Sequence, residues 1–63
     1  MLEVDEQLYT PQEVAEYLKV KPNTVYRWLR SGELSAIRFQ REYRVSESDL
    51  REFLQARRTR RGE

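Results

Sequence analysis

The sequence predicts a mostly α-helical domain carrying one small β-hairpin, its elements in the order α-α-β-β-α. Three observations predict it. Apolar residues recur at helical spacing on both sides of a short break near Val20; the period falls to two between Leu34 and Val45; helical spacing returns after Ser46. At 63 residues, 38% of them hydrophobic and 37% charged, there is room for one small domain. A chain of this size buries only about 60% of the surface its unfolded form exposes, so the core must be thin.

Residues 1–8 are acidic and aperiodic and read as a flexible lead-in. Tyr9-Thr10-Pro11-Gln12-Glu13 is a dense helix start: Thr10 can cap, Pro11 suits the first helical position, and Glu13 completes a capping box. Tyr9 and Val14 stand where a hydrophobic staple forms, and Val14, Ala15 and Leu18 give the apolar stripe of a first helix ending near Lys19. Val20-Lys21-Pro22 restarts the chain. Val25, Trp28 and Leu29 then mark a second helix, which Gly32 stops. Two short helices joined by so tight a turn make a helix-turn-helix.

Ile37, Phe39, Tyr43 and Val45 at odd positions, with Arg38 and Arg44 between, read as a two-stranded hairpin turning around Gln40-Arg41. Such a ribbon is marginal alone and is expected to lean on Trp28 and the third helix. That helix opens with Ser46 as cap and Asp49 at its third position, and buries Leu50, Phe53 and Leu54. The domain proper thus spans 9–56. Residues 57–63, four Arg against one Glu, have nothing to bury and read as a disordered basic tail that adds nonspecific affinity for phosphate.

Composition excludes several functions. There is no Cys and no His, so thiolate and imidazole metal sites and His-based acid/base chemistry are absent, and neither metal nor cofactor is expected. Ser31, Ser35, Ser46 and Ser48 have no His to activate them, so catalysis is not expected. No apolar run approaches the ~20 residues of a membrane span. The first residues lack the basic and apolar regions of a leader. The location expected is cytoplasmic, on the nucleoid when bound.

The net charge of +1 hides a division. Residues 1–20 carry one Lys against five acids, 21–45 six Lys/Arg against two, 46–56 one against three, and 57–63 four against one. The two basic blocks are what a phosphate-binding surface requires. On a helical wheel Asn23, Arg27 and Arg30 fall opposite Val25, Trp28 and Leu29, with Thr24 and Tyr26 flanking them. These residue types read major-groove edges and grip phosphate: Arg bidentate to guanine, Asn to adenine, hydroxyls to phosphate oxygens. The first helix shows Gln12, Glu13 and Glu16 and would repel a polyanion. The second helix is therefore the reader, and the hairpin adds Arg38, Arg41 and Arg44 beyond its apolar face.

Three runs, in this order and spacing, resemble a known family: Tyr9-Thr10-x-x-Glu13-Val14-Ala15-x-x-Leu18, Thr24-Val25-Tyr26-Arg27-Trp28-Leu29-x-x-Gly32-x-Leu34, and Tyr43-Arg44-Val45-x-x-x-Asp49-Leu50. The family is the excisionase-type DNA-binding domain, a small winged helix-turn-helix related to the DNA-binding heads of MerR-type regulators. The resemblance covers residues 8–54. It implies a recognition helix over 22–31 in the major groove of double-stranded DNA and a wing over 36–45 on the adjacent minor groove or backbone. It also implies work as a recombination directionality factor or as a small transcriptional regulator. Carried over by position, the contacts are Asn23, Thr24, Tyr26, Arg27 and Arg30 on the helix, and Arg38, Arg41 and Arg44 on the wing.

Two departures stand out. Lys21 replaces the Ser frequent in the family, so a cap worth about 1 kcal/mol is lost, and Lys21 with the uncapped amides can instead hold a phosphate. The wing has no Gly at its turn, so a tip longer than two residues, or irregular, is expected. A single copy offers a contact area below ~1,000 Å². Further copies on tandem sites, or a site-specific recombinase, are therefore expected as partners, with DNA bending and a monomer off DNA. The competing reading is a protein-interaction module whose acidic first helix binds a basic partner, a role that does not need the Arg/Asn/Thr face of the second helix.

Overall fold

Local sequence decides where each helix begins. In a computed structural model, which describes residues 6–58, the order is β1 (Leu8–Tyr9), α1 (Pro11–Leu18), α2 (Pro22–Ser31), β2 (Ile37–Phe39), β3 (Glu42–Ser46) and α3 (Glu47–Ala56). Glu13 N–H donates to Thr10 Oγ1 at 3.1 Å, and Thr10 N–H donates to Glu13 Oε1 at 2.9 Å. This is the reciprocal capping box expected, and it satisfies two otherwise orphaned donors of α1. Ser46 caps α3 one way only, its Oγ accepting from Asp49 N–H at 3.1 Å.

Both helices of the helix-turn-helix end in the same device. After α2, Gly32 (φ 86°) donates to the Leu29 carbonyl and Glu33 to that of Trp28. After α1, Lys19 (φ 60°) donates to Glu16 and Val20 to Ala15. These are Schellman closures, which need a left-handed residue and normally use Gly. Val20 and Lys21 then lead straight into Pro22, so the turn between the helices stays tight.

The core draws on most elements. Val14 and Ala15 come from α1, Val25 and Leu29 from α2, Leu34 from the following loop, Val45 from β3, and Leu50 and Phe53 from α3. Trp28 lies against Phe53 of α3, ring centroids 4.8 Å apart. Tyr26 meets Tyr43 of the hairpin edge-on at 6.3 Å. Trp28 packs against the core that Val45 of β3 completes, and β3 rests on α3, as expected for the support of the hairpin.

The sheet holds one strand more than expected. Its order is β1-β3-β2, with Leu8 opposite Ser46 and Tyr9 opposite Val45. Residues 6–8, read as a flexible lead-in, are held in place. Besides the β1 pairing, Gln7 C=O accepts from Glu47 N–H at 3.0 Å and the Glu6 carboxylate accepts from Ser48 N–H at 2.8 Å. Two free amides at the start of α3 are the physical reason, since a helix N-terminus takes any nearby acceptor.

The basic tail is corrected at its first residue. Arg57 ion-pairs with Glu33 and stacks on Phe53 and Trp28, its guanidinium carbon 4.4 and 5.3 Å from the ring centroids. Arg58 is exposed, with its N–H donated to the Gln55 carbonyl, and residues 59–63 of the expected tail lie outside the described residues.

Candidate nucleic-acid interface

On α2 the face opposite the core carries the polar residues the pattern placed there. Lys21, Asn23, Arg27 and Arg30 are exposed, while Thr24 and Tyr26 are half-buried. Lys21 stands at the N-cap with no side-chain hydrogen bond to the helix, because an ammonium has nothing to accept with. Lys21, Arg27 and Arg30 form no ion pair among the described residues; the acids pair elsewhere, on the wing, within α3 and at Arg57. Among the described residues the cations of this face are therefore uncompensated, the condition for gripping phosphate from outside. Tyr26 hydroxyl accepts from Gln12 Nε2 at 3.2 Å, which leaves its own proton to donate.

The wing turns more sharply than its composition suggests. Phe39 pairs with Glu42, so the loop is only Gln40 and Arg41, with φ of 51° and 74°. Positive φ at both central residues is what a type I′ hairpin turn demands, and it matches the twist of the flanking strands. The expected longer or irregular tip is corrected: strand twist prevails over the side-chain penalty. Arg41 is then fixed at the end of the ribbon, exposed and without an ion pair among the described residues.

This turn also overturns the reading of the hairpin's faces. Opposed residues are Ile37 and Arg44, Arg38 and Tyr43, Phe39 and Glu42. Residues opposite one another share a face. A two-residue loop pairs odd positions with even ones, so Ile37 and Phe39 do not lie with Tyr43 and Val45 but on the other side, largely exposed. Arg38 lies with Tyr43, its guanidinium 5.3 Å from the ring centroid, on the side facing α2 rather than beyond it. Arg44 is half-buried, pairs with Glu42 at 2.9 Å and donates to the Tyr43 carbonyl. It braces the strand.

Helix and wing meet in one groove, bordered by Thr10, Gln12, Tyr26, Arg41, Glu42 and Arg44. Tyr26, Arg41 and Arg44 are thus brought together, with Arg38 adjoining through Tyr43. Lys21, Asn23, Thr24, Arg27 and Arg30 belong to α2 alone. Phe39, expected on the hairpin's apolar face with Tyr43 and Val45, stands exposed on the other face, which the parity of a two-residue loop dictates.

A tight helix-turn-helix followed by a two-stranded wing defines the class of this molecule: a winged helix-turn-helix domain. The family follows. The chain belongs to the helix-turn-helix domain family, whose model matches residues 8–58. It is 47% identical over 45 residues to the Bacillus subtilis (strain 168) protein YvgK, covering 71% of this chain and 15% of that one. It is 41% identical over 49 residues to the "Putative DNA-binding protein Rv0500A" of Mycobacterium tuberculosis (strain H37Rv). That match covers 78% of this chain and 63% of the mycobacterial one. This chain thus spans less than two thirds of either relative.

Proposed function

We propose that the chain binds double-stranded DNA without catalysis, laying α2 in the major groove and the wing on the adjacent minor groove or backbone. The observation that carries this is the outer face of α2, where Asn23, Arg27 and Arg30 are exposed and the cations have no acid partner among the described residues. On this reading Asn23, Thr24, Arg27 and Arg30 meet bases and phosphates, and Lys21 holds a phosphate at the amino end of α2. Tyr26 donates its hydroxyl, and Arg38, Arg41 and Arg44 line the wing side. The mycobacterial relative's printed name supports DNA as the partner. Within this function the excisionase-type resemblance supports recombination directionality or small-scale transcriptional regulation, with several copies or a recombinase completing the assembly.

The test is fluorescence anisotropy with a labelled random-sequence duplex at several salt concentrations. The log of the binding constant should fall against log salt by about 0.9 per phosphate neutralised. Arg27→Ala should weaken binding about fivefold or more, the loss of one Arg contact worth about 1–3 kcal/mol. No binding at low salt eliminates the reading. A groove between α1 and α3, bordered by Glu13, Glu16, Tyr17 and a Glu47 paired with Arg51, then favours a basic protein partner, for it keeps an excess of acid beside Tyr17, which is 69% exposed.

A further inference from the structure

The wing tip keeps features that a simple chain reversal does not need. Gln40 and Arg41 hold left-handed backbone without being Gly, Asn or Asp, at a cost of about 1–2 kcal/mol each. Strain of this kind clusters at functional sites. Immediately before the turn, Phe39 is 59% exposed, and Ile37 on the same face is 49% exposed. Scattered apolar residues on a surface are ordinary. These two are contiguous, at the end of a projecting ribbon and on an edge strand. Their surroundings are cationic: Arg41 at the tip, Arg44 across from Ile37, and Arg38 between them on the opposite face. Glu42, opposite Phe39, is held by Arg44, which leaves Arg38 and Arg41 without an ion pair among the described residues.

We infer that Phe39 is an apolar wedge, which enters the minor groove beside the site read by α2 and partly unstacks one base step, with Ile37 packing behind it. This rests on the DNA-binding reading above and adds to it a mechanism for bending. Charge chooses the occupant: an apolar pair set among arginines suits a polyanion with flat apolar surfaces between its charges. Size agrees, for a groove about 6 Å wide admits the end of a two-residue hairpin and the edge of a phenyl ring, but no helix. Unstacking costs a few kcal/mol per step, and the kink of about 20–90° lets the duplex meet more protein. Pyrimidine–purine steps, the easiest to kink, are the preferred target. Gln40 and Arg41 flank the ring with the groups that read minor-groove edges.

The test compares wild type, Phe39→Ser and Phe39→Leu by anisotropy and by ligase closure of a DNA fragment of about 120 bp, shorter than the ~150-bp persistence length. Thermal melts check that each variant folds, which an exposed position permits. Wild type should speed ring closure about tenfold at saturation, as minor-groove kinking predicts. Phe39→Ser should bind with the same salt slope, within about threefold in affinity, yet close rings no faster than free DNA. Phe39→Leu, still a wedge, should stay near wild type. Ring closure by Phe39→Ser equal to wild type overturns the wedge and leaves DNA binding standing. A wild type that does not bind the duplex overturns both. A dimer seen by sedimentation without DNA, and abolished by Phe39→Ser, makes the patch a self-docking surface and overturns the wedge as well.

Discussion

Among the described residues, three that are not glycine sit in left-handed backbone: Lys19, Gln40 and Arg41. Each closes a turn that a Gly closes without strain. Lys19 lies in the turn between α1 and α2 and is not among the residues proposed to meet DNA. Lys19→Gly should therefore raise stability by about 0.5–1 kcal/mol, the left-handed penalty less the extra chain entropy of Gly, which is about 4 °C in a melt. Its DNA affinity should hardly move. Lys21→Ser makes the informative contrast. Restoring an acceptor at the N-cap should also stabilise, by about 1 kcal/mol, but should weaken nonspecific binding more than twofold if Lys21 holds a phosphate. Circular dichroism melts beside anisotropy separate the two, and a smaller loss for Lys21→Ser removes Lys21 from the interface.

Elements are joined by contacts that no local pattern encodes. Arg57 bridges the end of α3 to α2 through Trp28 and to the following loop through Glu33, whose carboxylate also accepts from Ser31 Oγ at 2.9 Å. The pair is half-exposed and contributes little by itself; stacking on two rings contributes about 0.5–1 kcal/mol. Arg57→Ala should then lower the melting temperature by about 4 °C and change the emission of Trp28, the single Trp of the chain. Unchanged emission would mean that Arg57 does not hold the ring. Helix starts and stops were legible because Thr10, Glu13, Gly32 and Ser46 act over three or four residues. The exposed face of α2 was legible from its wheel. The wing faces were not, since alternation within β2 and β3 is visible in sequence while their relative phase depends on the loop being two residues long. Arg57, Glu6 and β1 were missed for a related reason: their partners are distant in sequence and chosen by the fold.

Across the whole molecule, charge is sorted by side and by task. The α2 face and wing tip keep cations without an ion pair among the described residues, whereas Glu13 closes the start of α1 and Glu42 and Glu47 pair with nearby arginines. Glu6, which precedes β1, reaches farther, accepting from the amino end of α3 across 42 residues. The Ser48 N–H bond holds its carboxyl below the ordinary carboxylate range, helped by the Ser48 hydroxyl and the Arg51 charge and opposed by slight desolvation. The folded state thus binds fewer protons than the unfolded chain around this group. Its contribution is complete above the unfolded Glu value, near 4.3, and is lost as pH falls through the lower folded value. Glu6→Gln has no charge to titrate. The difference in melting temperature between wild type and Glu6→Gln should therefore be widest near neutral pH and close as the solution is acidified below the usual carboxylate range. A gap that stays constant with pH would mean that the charge of Glu6 contributes nothing and that its bond to Ser48 acts only as a neutral cap. A closing gap makes this acid a latch, holding α3 against the sheet whose far edge is the wing.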